Sequence, residues 1–234
     1  MAASVDSRPP ALIPVNRLDR AKGRLSGLLT PDERRELALS TFATVVAAVR
    51  AAGWRPVVLT SDPAVRAASP GDALVLDELG AFLGLNAELE GAFLRLQPAF
   101  PQASDARLLI IHADLPLATG EAIRELEMAA APAPSATLVR SADGGTNAML
   151  LRPPGLFALA YGKGSFEKHW AASGAAGLHR VAVESPGLAL DLDTPDDLLT
   201  LLAMPSAAHA PAARLLRGWK IRERIAAAKP TANG

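Results

Sequence analysis

Apolar and polar positions follow two periods along this chain, and the switches between them lay out a series of elements. Short apolar runs of strand length stand at Ala11–Val15, Arg55–Thr60, Ala73–Leu76, Arg107–His112, Ala136–Arg140, Ala148–Leu151, Leu178–Val183 and Leu188–Leu192. Such runs predict strands, most of them buried on both faces. Between them, apolar residues recur at helical spacing. Leu39, Phe42, Val46 and Val49 mark a helix running to about Arg50. Its start is written as Thr30 at the N-cap, Pro31 at the first helical position and Glu33 completing a capping box. Further helices are expected from about Leu85 to Gln97, after Thr119, from Ser165 and from Thr194–Pro195.

Strands alternating with helices predict an α/β fold, a mostly parallel sheet with helices on both faces. Residues 1–10 are polar and Pro-rich and read as a flexible N-terminus. Residues 11–204 carry the periodic pattern and read as one domain. Residues 205–234 form an Ala-rich tail with the basic patch RLLRGWKIRER, which either packs as a short helix or stays mobile.

Composition narrows the function classes. A chain of 234 residues, half of them hydrophobic, can bury one generous core. Lys plus Arg equals Asp plus Glu, at 24 each, and that balance weighs against a nucleic-acid binder. The absence of cysteine excludes disulfides, zinc-thiolate sites and thiol nucleophiles. The opening MAASVDSRPPALIPV has no basic region followed by a long apolar stretch, so no signal peptide is expected. No run approaches the roughly 18 apolar residues of a membrane span. A cytoplasmic protein is the expectation, with a homodimer among the oligomeric states left open.

Candidate chemistry sits where apolar runs end. LLIIHADLPL delivers Asp114 just past a strand pattern, and LALDLDTPDDL delivers Asp191 and Asp193. Residues two apart on an extended segment share a face. Three converging carboxylates are costly unless a cation sits among them, and a hard ion such as magnesium is the simplest choice. Arg17, Lys22 and Arg24 follow the first strand, where a triphosphate would lie; no Walker A sequence is present. Asn86, in GLNAELE, stands where it could read a base edge. GGTN (144–147) and YGKGSFEKHW (161–170) combine the hydroxyls of Thr146 and Ser165 with Gly162, Gly164 and a helix N-terminus. That combination suits a small anion. Each feature also has a plain structural reading: a solvated basic loop, turn or cap aspartates, Ser165 as an N-cap, Asn86 as a helix cap.

Taken together and in this order, the stretches IPVNRLDRAKGRLS, LTPDERRELAL, GLNAELE, HADLPL, GGTNAMLLRPP, GKGSFEKH and GLALDLDTPDDL resemble the CofC/FbiD family of guanylyltransferases of coenzyme F-420 biosynthesis. The resemblance spans roughly residues 11–203. It implies a single-domain GT-A-like nucleotidyltransferase fold. The implied reaction moves GMP from GTP onto the phosphate of a small phospho-carboxylic acid and releases pyrophosphate. Phosphoenolpyruvate, 2-phospho-L-lactate and 3-phospho-D-glycerate are the implied acceptors. By position it places metal ligands on Asp114, Asp191 and Asp193, acceptor contacts on Thr146, Gly162 and Ser165, and the lysine of the nucleotide loop on Lys22. The chain departs from the usual family pattern at Asn16, Gly23 and His112. Two alternatives stay open: a molybdopterin- or sugar-phosphate-type nucleotidyltransferase, and a non-catalytic nucleotide-binding protein.

Overall fold

The computed structural model describes residues 7–80, 83–97, 100 and 106–228. Most of the segment expected as a flexible N-terminus, residues 1–6, lies outside them, as do residues 229–234 of the expected tail. Seven strands form one sheet: β1 (Pro10–Pro14), β2 (Arg55–Leu59), β3 (Leu74–Leu76), β4 (Leu108–Ile111), β5 (Ser135–Arg140), β6 (Thr146–Arg152) and β7 (His179–Val183). The helices are α1 (Pro31–Ala51), α2 (Pro63–Ala68), α3 (Gly84–Leu96), α4 (Gly120–Met128), α5 (Ser165–Ala175), α6 (Pro186–Ala189), α7 (Pro195–Ala203), α8 (Pro211–Gly218) and α9 (Ile221–Ala228).

The strand order is β3-β2-β1-β4-β6-β5-β7. Neighbours pair in parallel except at β6, which runs antiparallel to both β4 and β5. The reversal matters for the site. It brings the start of β6, at Thr146, to the edge where β1 and β4 end. The register between β5 and β6 shifts there, with Val139 opposite Ala148 but Arg140 opposite Thr146, so Asn147 has no partner on β5. Such a bulge re-aims the side chains around it.

Alternation along the strands builds two core layers. Ala11, Ile13, Leu109 and Ile111 face α1 and α4, whereas Leu12, Leu108 and Ile110 face α3 and the α5 side. The capping box at α1 forms as expected, with Thr30 and Glu33 bonded reciprocally. The short helix α2 escapes the apolar pattern because one buried residue, Val65, suffices for it. Its N-cap Asp62 also accepts the N–H of Leu18 at 2.8 Å, which ties down the loop after β1.

One expectation needs revision. Leu188–Leu192 is not a strand: Pro186–Ala189 makes the single turn α6, and Leu190 to Asp193 runs on extended without sheet pairing. Proline at the first helical position favours the turn, and Gly187 leaves room for the Leu117 carbonyl, which a Cβ there would meet at 3.0 Å. Residues 205–228, set apart by composition, form a 3-10 turn followed by α8 and α9. Their apolar faces share a third buried cluster with Leu25, Leu29, Leu37, Leu192 and Leu201. Arg224 adds a bidentate pair with Glu33 at 2.8 and 2.9 Å. Leu216 is fully buried there. Leu216→Ala should therefore lower the melting temperature by roughly 5–15 °C. An unchanged melt would mean that this segment is not part of the cooperative unit.

Candidate active site

The loop after β1 is short of regular structure but firmly held. Val15 N–H bonds the Leu59 carbonyl, Leu18 N–H bonds Asp62, and Leu25 and Leu29 are buried in the third cluster. Between these anchors Lys22 adopts a left-handed conformation, φ 55°, at the head of the 3-10 turn Gly23–Leu25. That geometry is uncommon for a residue with a side chain. The Lys22 ammonium donates to Asp114 Oδ2 at 2.7 Å and to Asp193 Oδ1 at 3.1 Å.

Asp114 lies three residues beyond β4. Asp193 comes from the extended segment between α6 and α7, and Asp191 from two residues before it. The fully buried Leu192 between them turns the opposite way, into the third cluster. One carboxylate oxygen from each of Asp114, Asp191 and Asp193 lies within 4.8 Å of the others, so the trio could hold a metal ion. On the other side of Asp191, the Asn147 amide donates to Oδ1 at 3.4 Å and to the Ala189 carbonyl at 3.0 Å.

The electrostatics are uneven. Burial opposes the Lys22 charge, but Asp114 and Asp193 outweigh it and hold the ammonium above the ordinary lysine range. Burial likewise pushes the Asp114 carboxyl up, and the nearby Lys22 charge reverses the shift to below the ordinary range. Asp191 has no such partner. Burial, then the negative charge of Asp114 and of Asp193, pushes it up to about 6 against the pull of the Asn147 amide. Lys22 is the one cation within bonding distance of the trio among the described residues. Asp114 Oδ1 is buried without a hydrogen-bond partner. An orphan carboxylate oxygen and an uncompensated second carboxylate both fit a divalent cation.

Beside the trio opens a cavity of about 290 Å³, lined by Asn16, Arg20, Lys22, Thr41, Leu85, His112, Asp114 and Asp193 among others. Its cations are Lys22 and Arg20. Arg17 and Arg24 are exposed and lie outside the lining, Arg17 paired with Asp19 at 3.1 Å. The Asn86 amide closes on the backbone of Tyr161, accepting its N–H at 2.7 Å and donating to its carbonyl at 3.2 Å. Both ends of the amide are thus engaged in positioning the 160–164 loop.

Thr146 and Ser165 do come together, 1% and 2% exposed, with their hydroxyls 3.3 Å apart. Gly162 and Gly164 adopt φ of 117° and 66°, values that favour glycine. The helix terminus is less open than sequence suggests: Ser165, Phe166 and Lys168 N–H groups already bond Gly162, Gly144 and Gly164 carbonyls. Thr146 and Asn147 are neighbours at the bulge of β6 and join the two halves of the site. Sequence reading gave no site role to Asn147, Arg20, His112 or His169. The four-residue spacing of Ser165 and His169, which puts both on one face of α5, was the available signal for the last.

The protein is of the mixed α/β class, with carboxylates and a lysine at the carboxyl edge of its sheet, and solved structures share the fold. A chain from Desulfovibrio desulfuricans G20, named provisionally as a nucleotide-diphospho-sugar transferase, superposes with a TM-score of 0.69 at 18% identity, covering 92% of this chain and 97% of its own. A 4-diphosphocytidyl-2C-methyl-D-erythritol synthase gives 0.55 at 16% identity, over 83% and 96%. The chain belongs to the family described as guanylyl transferase CofC like, whose model matches residues 10–222. It is 42% identical over 206 residues to the phosphoenolpyruvate guanylyltransferase of Sphaerobacter thermophilus, covering 86% of this chain and 93% of that one. It is 35% identical over 194 residues to the 2-phospho-L-lactate guanylyltransferase of Methanoregula boonei, over 83% and 82%. No helix among the described residues is long and apolar enough to cross a membrane.

Proposed function

We propose that this enzyme transfers GMP from GTP to the phosphate of a small phospho-carboxylic acid, releasing pyrophosphate, in the biosynthesis of coenzyme F-420. The observation that carries this reading is the convergence of Lys22, Asp114, Asp191 and Asp193 beside one cavity in a chain of this family. Phosphoenolpyruvate and 2-phospho-L-lactate are the leading acceptors, because two similar relatives are named for them; 3-phospho-D-glycerate has the same pair of anionic groups.

The chemistry needs no general base. A phosphate oxygen of the acceptor is already anionic. It forms a bond to the α-phosphorus of GTP while the bond from that phosphorus to the bridging oxygen breaks, and pyrophosphate carries the electron pair away. Catalysis then rests on positioning and charge neutralisation. A bound magnesium ion would neutralise charge across the triphosphate and the acceptor phosphate, held by Asp114, Asp191 and Asp193 as one ion or two. Lys22, buried and charged, offsets the charge that grows on the leaving group. Arg20 adds a second positive charge at the cavity. Arg17, Arg24 and Asn86 serve the nucleotide less directly, the arginines by long-range attraction and Asn86 by holding the 160–164 loop. Thr146, Ser165 and the Gly162 backbone hold the acceptor.

A pyrophosphate-release assay with magnesium tests this. GTP should support turnover with at least one of the three acids and CTP should not. Release that is absent with all three acids, or equal with CTP, would sink the proposal.

A further inference from the structure

The geometry points to His169 as a positioning residue for the acceptor: its Nδ1–H frees one hydroxyl proton of the Thr146–Ser165 pair to be donated to an anionic oxygen of the phospho-acid. This rests on the reading of Thr146 and Ser165 as acceptor contacts.

His169 on α5 is 0% exposed. Both ring nitrogens have partners. The peptide N–H of Ala160 lies 2.9 Å from Nε2, and Thr146 Oγ1 lies 3.0 Å from Nδ1. A peptide N–H can only donate, so Nε2 must present its lone pair. A neutral imidazole carries one proton, which therefore sits on Nδ1. Burial, with smaller contributions from His112 and Lys168, keeps the ring neutral by lowering its pKa to about 4.

The proton count then decides what the hydroxyls can do. Thr146 Oγ1 accepts from Nδ1–H. Thr146 and Ser165 have two hydroxyl protons, and the 3.3 Å bond between them uses one. Among the described residues no other acceptor bonds either hydroxyl, so one O–H is left over. With the opposite tautomer, Thr146 would donate to Nδ1, Ser165 would donate to Thr146, and no proton would remain. The left-over donor is shut away from bulk water beside Gly162 and Gly164, whose Cβ positions meet open space. A buried donor without an acceptor is costly until a ligand supplies one.

Two substitutions divide the ring's two roles. His169→Asn keeps a donor near the Nδ1 position and loses the acceptor for Ala160. His169→Gln keeps an acceptor near the Nε2 position and loses the donor to Thr146. His169→Gln puts no acceptor at Nδ1 and so leaves the proton count unchanged, but it releases Thr146 Oγ1. The left-over O–H is then free to turn, and the acceptor KM should rise about threefold to tenfold, up to the worth of one net hydrogen bond, with the GTP KM within about twofold of wild type. His169→Asn should recover most of that loss, although both variants lose one buried hydrogen bond and should melt similarly.

Equal rises in the two variants, or a GTP KM that climbs with the acceptor KM, would reduce His169 to a packing residue. Thr146→Val and Ser165→Ala run alongside. If neither moves the acceptor KM, the acceptor reading itself falls and the positioning role with it. If they do and the His169 variants do not, only the positioning role falls. Nitrogen-15 NMR of the wild-type imidazole reads the tautomer directly, with Nδ1 protonated expected; a proton on Nε2 overturns the inference without any variant.

Discussion

Asp114→Asn should cut pyrophosphate release by roughly 10²–10³-fold while the protein stays folded. Asparagine keeps the shape of the side chain but removes the charge that Lys22 pairs with at 2.7 Å. It also turns the carboxylate whose buried, unpartnered Oδ1 makes Asp114 the strongest candidate ligand of the trio into a neutral amide, a weaker ligand for a hard cation. Stability should change little, because two effects oppose. The variant weakens an ion pair, but it also removes one of three carboxylates crowded within 4.8 Å. Pyrophosphate assays and thermal melts on the same preparation separate the two readouts. Wild-type turnover in this variant would remove Asp114 from the site.

Asp191→Asn should split the same readouts in opposite directions. The folded protein holds this carboxyl near 6 against an ordinary value of 3.8, so the metal-free fold disfavours its charged form. The sign follows from linkage: the unfolded chain ionises this group more readily, so it subtracts stability at neutral pH. That penalty fades as pH falls from above 6 toward 4, where the folded form takes up its proton first. Removing the charge should therefore stabilise the metal-free protein at pH 7–8 by about 1–2 kcal/mol, after discounting for partial exposure, or a few degrees of melting temperature. Turnover should fall by roughly the same two to three orders of magnitude as for Asp114. Added magnesium should raise the melt of the wild type and not that of the variant. A variant that melts lower than wild type without metal at pH 8 would contradict this account of Asp191.

A site that destabilises its own fold is expected where function sets the residue choice. Its supports are also unevenly visible in sequence. Thr30, Pro31 and Glu33 are legible because a cap is a contact between residues three apart, and it forms as read. Asp114 is legible because it ends an apolar run that becomes β4. Asp191 and Asp193 converge as expected, yet not from a strand. The same two-residue spacing works on an unpaired extended segment, pinned by Leu192 in the core. Leu188–Leu192 misleads because an apolar run signals burial, and burial against helices looks the same in one dimension as burial in a sheet.

The basic loop shows the limit most clearly. Composition cannot rank Arg17, Arg20, Lys22 and Arg24, since all four are cations within eight positions. The ranking comes from backbone direction: a left-handed Lys22 turns inward between anchors at Leu18 and Leu25, while Arg17 turns to Asp19. Asn86 and His169 show the same limit. Their partners, Tyr161, Ala160 and Thr146, are set by how the 160–164 loop folds over α5.

By itself, then, the sequence determined most of the elements, the two-faced sheet, the carboxylate beyond β4, the paired spacing of Asp191 and Asp193 and the family resemblance, because periodicity, caps and motifs are local properties of a chain. Only the tertiary structure decided which of them meet. Lys22 reaches Asp114 across 92 positions and Asp193 across 171, and nothing in either neighbourhood encodes those contacts. They follow from a strand order that sets β1 beside β4 and reverses β6, and from C-terminal helices that close under the loop. Packing of apolar faces over long sequence separations placed the charges, and the charges then fixed the chemistry the site can support.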